Sequence, residues 1–272
     1  MFSFSLPITK DISSSYTLSF VLGILTVVLS LAGLFFQVSL YPTEDVRYPF
    51  VATDLINVII VVPVLIGSMS LARRGKWVGL LFWPGALFIV TYHYLSYAVA
   101  WLSPWQTVAY LLLVLLSAYA IFRLLSILDL PPIQKQLAGR VPERFAGGVL
   151  AGFGVLFFFW RGSLVVQSLI GSAVLSRPEF GTAIADVLLA PAWVIVGVSL
   201  WRKQAFGYAA GTGLLFQFSM LFIGLFVYFA LQPILAGVPF PMNDFVAVFT
   251  MSLVCFIPFG FFVRGVIRAP SR

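Results

Sequence analysis

Charged residues are scarce in this sequence, and so are the side chains that build most catalytic and metal sites. Only 9% of the 272 residues are Asp, Glu, Lys or Arg, whereas a soluble domain carries about 25%. The only cysteine is Cys255 and the only histidine is His93, which excludes an intrachain disulfide and metal sites made of several Cys and His. Neither an H-E-x-x-H metal motif nor a phosphate-binding G-x-x-x-x-G-K-[ST] motif occurs. We therefore predict no metal and no cofactor, and an enzyme is the least favoured class because no nucleophile–base set is visible.

Hydrophobic residues, in contrast, make up 61% of the chain, and its mean hydropathy is +1.06. Such a chain cannot present a soluble surface, so we predict that its solvent is the lipid bilayer. The net charge of +7 would suggest a nucleic-acid partner in a soluble protein. Here the basic residues lie in short loops between apolar runs, so we assign them to membrane orientation and expect no nucleic-acid partner.

The apolar runs predict an all-α polytopic helix bundle, because about 20 apolar residues cross a bilayer as a helix. The first run is too long for a signal peptide, so we expect it to be retained. We predict eight transmembrane helices, over residues 17–40, 50–71, 77–99, 105–127, 146–170, 183–201, 206–231 and 243–264.

The distribution of charge predicts the orientation of these spans, because basic residues are enriched in cytoplasmic loops. One side of the predicted topology receives Arg73, Arg74, Lys76, Arg123, Lys135, Arg140, Arg144, Arg202, Lys203, Arg264, Arg268 and Arg272. The other side receives Glu44, Asp45, Asp54, Glu179, Asp186 and Asp244, against only Arg47 and Arg177. We therefore predict a multi-pass protein of the cell membrane with cytoplasmic N- and C-termini.

The two halves of the chain share a spacing pattern that suggests an internal duplication. The first half contains Asp54, Pro63, Gly67, a basic turn and Gly79, and the second contains Asp186, Pro191, Gly197, a basic turn and Gly207. We interpret residues 1–128 and 145–272 as two four-helix halves in parallel orientation, joined by a cytoplasmic linker at 129–144. The alternative is that Gly and Pro are simply frequent in membrane helices.

Arg161 is the residue that most needs an explanation, since it stands within the apolar stretch FFFWRGSLVVQ, residues 157–167. A charge at the centre of a lipid-facing helix costs a few kcal/mol or more. Two roles are open. Arg161 pairs with Asp186 on the next predicted helix as a packing device, or it attracts the anionic group of a ligand.

The other candidate residues lie at a similar predicted depth, in the outer third of the membrane, given a helix rise of 1.5 Å per residue. They are Asp54, Asp186, His93, Asn57 and Gln167, together with Tyr92, Tyr94 and Tyr97. We expect their helices to converge on an outward-facing polar cavity. Structural alternatives exist, since Asp54 and Asp186 could cap helix N-termini and His93 could be a hydrogen-bonded interior residue rather than a proton carrier.

The stretches LARRGKWVGLLFWPGALF, residues 71–88, and GLLFQFSMLFIGL, residues 213–225, resemble a group of uncharacterised polytopic proteins from bacterial genomes. This resemblance implies a bacterial inner-membrane protein, and it carries no activity and no functional residue with it. The function we predict is small-molecule transport or ligand binding in the outer half of the bundle, with an unknown small molecule as ligand. The alternative is a non-catalytic membrane subunit or sensor whose interior charges only lock helix packing.

Overall fold

The computed structural model describes residues 6–267, and these residues form an all-helical bundle without β-strands. Within that range, eight helices are long and apolar enough to cross a membrane, which confirms the predicted number. They are span 1 (Ser13–Phe35), span 2 (Glu44–Arg73), span 3 (Trp77–Val99), span 4 (Pro104–Ser126), span 5 (Glu143–Leu169), span 6 (Arg177–Trp201), span 7 (Ala205–Ala236) and span 8 (Met242–Ile267). Two short helices, Gln37–Leu40 and Leu130–Leu137, lie between spans. The charges predicted at Arg268 and Arg272 lie outside the described residues.

Spans 2 and 6 begin about two turns earlier than the sequence predicts. A capping box starts span 6: the Ser176 amide donates to Glu179 Oε2 (2.8 Å), and the Glu179 amide donates to Ser176 Oγ (3.4 Å). Asp186 is therefore the tenth residue of its helix, and Asp54 is the eleventh residue of span 2. Capping side chains satisfy free amides in the first turn only. The helix-capping interpretation of Asp54 and Asp186 is wrong for this reason.

Spans 3 and 7 cross at the centre of the bundle through two glycines. A side chain at Gly85 would overlap the backbone carbonyl of Gly213, and one at Gly213 would approach the Gly85 amide nitrogen to 3.2 Å. Small residues allow this close approach of helix backbones in a membrane protein. Span 3 is the most buried span, whereas spans 1, 4, 5 and 8 are the least buried and form the periphery.

Two tight turns, after spans 2 and 6, have the same hydrogen-bond pattern. The Gly75 amide donates to the Ala72 carbonyl at 2.9 Å, and the Lys203 amide donates to the Leu200 carbonyl at 2.9 Å. Gly75 has φ 74° and Lys203 has φ 58°, so both occupy the left-handed region in which helices commonly end. Each pair of matching positions is 128 residues apart.

These two turns and the linker lie on the same face of the bundle, which we call the terminal face. In the linker, Ile133 and Leu137 are buried on one side of the short helix, and Gln134 Nε2 donates to the Lys203 carbonyl at 2.8 Å. The Tyr208 hydroxyl donates to Glu143 Oε1 at 3.0 Å. The linker is thus packed against the bundle rather than extended. The opposite, distal face carries the loops 36–43, 100–103, 170–176 and 237–241.

Candidate functional site

A cavity of about 490 Å³ lies in the distal half of the bundle, between spans 2, 3, 5, 6, 7 and 8. Its walls are mainly apolar and aromatic, and they include Phe50, Tyr97, Phe157, Trp160, Trp193, Phe218, Phe222 and Tyr228. The polar residues among its lining include Tyr92, His93, Ser96, Arg161, Thr182 and Asp186. This size and composition are typical of ligand pockets, in which a few polar groups orient the ligand within an apolar wall.

Arg161 lies on the cavity wall, with its guanidinium held by span 6. Its Nε donates to Asp186 Oδ2 at 2.8 Å, and its Nη2 donates to Thr182 Oγ1 at 3.0 Å. The Tyr92 hydroxyl donates to the other oxygen of Asp186 at 2.9 Å. The guanidinium also lies 5.6 Å from the centre of the Trp160 ring, within the range of a cation–π contact. The ion pair between spans 5 and 6 that the sequence predicts is therefore present.

The Arg161 guanidinium has hydrogen-bonding capacity beyond these contacts. A guanidinium carries five N–H donors, and Asp186 and Thr182 take one each. Only 20% of the Arg161 side chain is exposed, and 9% of the Asp186 side chain. A planar donor set of this kind is suited to a carboxylate or phosphate. The charges of Arg161 and Asp186 already balance each other. The remaining N–H donors of Arg161 can therefore bind an anionic group or another strong hydrogen-bond acceptor.

Asp54 lies in a second polar cluster that is closed off from the cavity. Its carboxylate accepts hydrogen bonds from the Tyr41 hydroxyl at 2.7 Å and from the Tyr97 hydroxyl at 2.9 Å, and the residue is only 2% exposed. Burial, followed by the nearby Asp54 carboxyl, raises the pKa of the Tyr41 phenol, so this hydroxyl remains a donor. Tyr97 also lines the cavity. Asp54 thus sits behind Tyr97, one side chain away from any ligand.

His93 and Asn57 form a third polar contact, where span 2 contains a π-helical segment, Asn57–Val61. The His93 Nδ1 lies 2.7 Å from Asn57 Oδ1, and Asn57 Nδ2 donates to Ser30 Oγ at 3.1 Å. Because Asn57 Oδ1 can only accept, we assign the proton to His93 Nδ1, and a neutral ring then keeps Nε2 as an acceptor. His93 lines the cavity and Asn57 is fully buried behind it. π-Helical turns are frequent at functional sites.

Gln167 is separate from these clusters. It lies in the last turn of span 5 and is exposed, and its backbone carbonyl accepts from the amides of Ser172 (2.9 Å) and Ala173 (3.2 Å). It does not belong to the cavity lining. Of the six predicted candidates, three line the cavity: Arg161, Asp186 and His93. Asp54 and Asn57 lie behind the lining residues Tyr97 and His93. Gln167 belongs neither to the cavity wall nor to the residues behind it.

Sequence reasoning missed Thr182 and Tyr41. Thr182 could have been found, because it lies four residues before Asp186 and therefore on the same face of span 6. Tyr41 offers no local signal, since it lies in the loop between spans 1 and 2 and reaches Asp54 only through the tertiary fold.

No family model, curated protein or solved structure matches this chain. Its class is therefore defined by the fold itself. Eight apolar helices within residues 6–267 are compatible with a multi-pass integral membrane protein.

Proposed function

We propose that the protein binds a small molecule in the distal cavity and moves it across the membrane. The observation that carries this proposal is the cavity itself, whose wall holds Arg161 with N–H donors beyond those used by Asp186 and Thr182. In this mechanism Arg161 receives the anionic group of the ligand. Asp186 keeps the guanidinium in place and balances its charge. His93 offers Nε2 to the ligand, while Asn57 and Asp54 support the wall from behind.

We also propose that the fold is a parallel four-plus-four repeat, with halves 1–128 and 145–272 joined by the linker 129–144. Three features support it. The turns at Gly75 and Lys203 share one hydrogen-bond pattern 128 residues apart. Gly85 and Gly213, also 128 residues apart, meet each other where spans 3 and 7 cross. That crossing would lie on the pseudo-twofold axis, so opening a path to the terminal face would require the two halves to rock about it.

For orientation we propose cytoplasmic termini in the cell membrane, which is the inner membrane if the bacterial resemblance holds. The cavity then faces outward. Single cysteines in a Cys255→Ser background, labelled by an impermeant maleimide on intact cells, test this. Positions 44 and 172 on the distal face should react, and position 74 on the terminal face should not. Strong labelling at 74 from outside would reverse the orientation.

Ligand binding is tested with purified protein in detergent and a panel of carboxylates and phosphate esters that runs from small soluble anions to long-chain fatty acids. A bound ligand stabilises the native state by RT ln(1 + [L]/Kd), about 2.7 kcal/mol at one hundred times Kd. We expect at least one anion to stabilise the parent, and no member of the panel to stabilise Arg161→Leu/Asp186→Asn. The control Arg123→Leu/Asp129→Asn removes the same charges near the terminal face and should respond like the parent. No stabilisation of the parent by any anion would contradict the proposal.

A packing role remains the second candidate, favoured by one observation. Asp186 accepts from both Arg161 and Tyr92, so its carboxylate is satisfied without any ligand. In that case the protein is a membrane subunit or sensor, and Arg161→Leu/Asp186→Asn gives the same response to the anion panel as the parent. Buried ion pairs are often neutral when replaced by apolar residues, so stability alone does not separate the roles. The anion panel does, because only a ligand role predicts a difference between the parent and the double variant.

A further inference from the structure

The distal halves of spans 5 and 8 are packed differently from their terminal halves. Span 5 contains no buried residue between positions 155 and 164, and span 8 contains none between 242 and 251. Towards the terminal face, both helices bury several residues, among them Leu150 and Phe153 in span 5 and Cys255 and Phe262 in span 8. The two spans make few contacts with each other. They therefore diverge towards the distal face.

The cavity lies at this divergence, with wall residues from both spans. Phe157 and Trp160 of span 5 line it, and so do Val248 and Met251 of span 8. None of these four is buried, and Trp160 is 48% exposed. In the distal half, the Arg161–Asp186 ion pair holds span 5 against span 6, and Phe226 of span 7 packs against Phe245 and Phe249 of span 8. We therefore place the opening of the cavity between spans 5 and 8, where the side of the bundle would face the acyl chains of the distal leaflet.

The polarity of the cavity changes with depth. Arg161 and Thr182 lie towards the distal face, and the Glu179 carboxylate beside them is engaged by Ser176. Phe157, Trp193 and Phe218 line the deeper part. A lipid of the distal leaflet has the same polarity, with its headgroup near the surface and its chain directed towards the bilayer centre.

We propose that the occupant is a membrane-resident amphiphile, with one anionic headgroup and an apolar chain, that enters sideways from the distal leaflet between spans 5 and 8. Its headgroup binds the Arg161 guanidinium, and its chain lies against Phe157, Trp193 and Phe218. The cavity is of the size that holds a small ligand. This inference rests on the proposed function, and it specifies the substrate class and the path of entry.

The probe is a long-chain fatty acid with a diazirine at its chain end, tested against its methyl ester in nanodiscs containing the purified protein. After irradiation, peptide mass spectrometry locates the label. We expect the acid to label residues 157, 193 and 218 at least tenfold more than the ester does. Unlabelled fatty acid should compete for these sites, and short-chain acetate should not. Label distributed equally over the lipid-facing surfaces of spans 1 and 4 would overturn the proposal.

Variants that fill the opening test the path of entry. Val248→Trp and Met251→Trp place a large side chain between spans 5 and 8, and each should reduce specific labelling at least fivefold. Leu253→Trp, on the exposed side of the same helix, is the matched control and should label like the parent. The labelling pattern of the parent decides the substrate class even if a tryptophan variant does not fold. Unchanged labelling in a folded Val248→Trp or Met251→Trp variant would overturn lateral entry.

The response of the protein to a water-soluble anion distinguishes failure of this inference from failure of the proposed function. Benzoate, measured by thermal stabilisation, reaches Arg161 from the aqueous distal side if the site serves soluble anions. Stabilisation by benzoate without fatty-acid labelling would leave the proposed function intact and overturn the amphiphile. Failure of both probes would contradict the proposed function itself.

Discussion

Asp54 and Asp186 are two buried carboxylates in the distal half of one bundle, and the fold satisfies them in opposite ways. Asp54 accepts only from neutral hydroxyls, those of Tyr41 and Tyr97. Asp186 accepts from one neutral hydroxyl, that of Tyr92, and from a guanidinium. The Asp54 carboxylate is buried beneath the loop that carries Tyr41. The guanidinium that pairs with Asp186 also lines the cavity. A charged group can therefore contact a ligand here only where it or its partner lines the cavity.

The surroundings of the two clusters explain this difference. Near Asp54, span 4 completes the wall with buried Tyr110, and its Gln106 Nε2 donates to the Leu40 carbonyl of the distal loop at 3.3 Å. Span 8, which would be the counterpart of span 4 in the proposed repeat, has no buried residue in its distal part, residues 242–251. Span 4 thus closes the Asp54 cluster, whereas the distal part of span 8 leaves the cavity beside Asp186 open. Four sets of substitutions can break or sharpen this comparison.

The largest effect is expected from removing Arg161, the cation of the polar cluster at the cavity. We call this cluster, which also contains Asp186, Thr182 and Tyr92, the open cluster. Arg161→Leu leaves Asp186 buried without its charge partner, which typically costs about 3–5 kcal/mol. Arg161→Leu/Asp186→Asn should recover most of that loss, because no uncompensated charge remains. Reversible unfolding in mixed micelles measures both variants. Equal stability of the single and double variants would mean that Asp186 does not depend on Arg161.

A smaller effect is expected from placing an additional methyl group in the closed cluster, which consists of Asp54, Tyr41 and Tyr97. A methyl group at Gly33 would overlap the Asp54 carboxylate and the Tyr41 hydroxyl, so Gly33→Ala should cost about 1–3 kcal/mol. Gly162→Ala, beside Arg161, is the matched control, because its methyl group would meet nothing closer than Val187 Cγ2 at 3.7 Å. The control should be neutral or slightly stabilising, since alanine favours helix over glycine. The same micelle assay measures the two variants, and a destabilised Gly162→Ala would show that the open cluster is equally tight.

Removal of one tyrosine hydroxyl from each cluster compares how much each carboxylate depends on it. Tyr41→Phe takes away one of the two donors to Asp54, and hydrogen bonds to charged groups contribute about 1.5–3 kcal/mol. Tyr92→Phe should cost less, because Asp186 retains Arg161. The unfolding free energies of the two variants provide the measurement. A larger loss for Tyr92→Phe would contradict the view that Arg161 is the main partner of Asp186.

Much of the fold could be predicted because it follows from the length and polarity of single helices. The number of spans and the Arg161–Asp186 pair both depend on local features: apolar runs of membrane length, and two opposite charges on neighbouring helices of one hairpin. The starts of spans 2 and 6 were predicted too late. Pro49 and Pro178 fall early in helices that carry polar first turns, and such turns have no hydrophobic signal.

The candidate site was harder to predict, because its differences are tertiary. The sequence pairs Asp54 with Asp186, which are 132 residues apart, whereas the two turns and the pair Pro63 and Pro191 are 128 apart. The two spacings differ by four residues (132 − 128), of which the π-helical segment Asn57–Val61 in span 2 accommodates one, and no residue in it marks it as π-helical. Tyr41 covers Asp54 through a tertiary contact, and spans 5 and 8 diverge at the cavity. Both features depend on contacts between distant parts of the chain.

The smallest effect concerns the two matching turns on the terminal face. Gly75 and Lys203 hold equivalent left-handed positions, but only glycine adopts that conformation without a steric cost from Cβ. Lys203→Gly should therefore stabilise the protein by up to about 1 kcal/mol, and Gly75→Ala should destabilise it by a similar amount. The side-chain amide of Gln134 donates to the backbone carbonyl of Lys203, so the first substitution keeps this hydrogen bond. Differential scanning fluorimetry compares both variants with Gly139→Ala, since Gly139 in the linker is another glycine with positive φ (72°). If the two turns are equivalent copies, Gly75→Lys should be tolerated as well as Gly75→Ala, because Lys203 already shows that a lysine fits this turn. A much larger loss for Gly75→Lys would show that the first turn has surroundings the second lacks, and would weaken the proposed repeat.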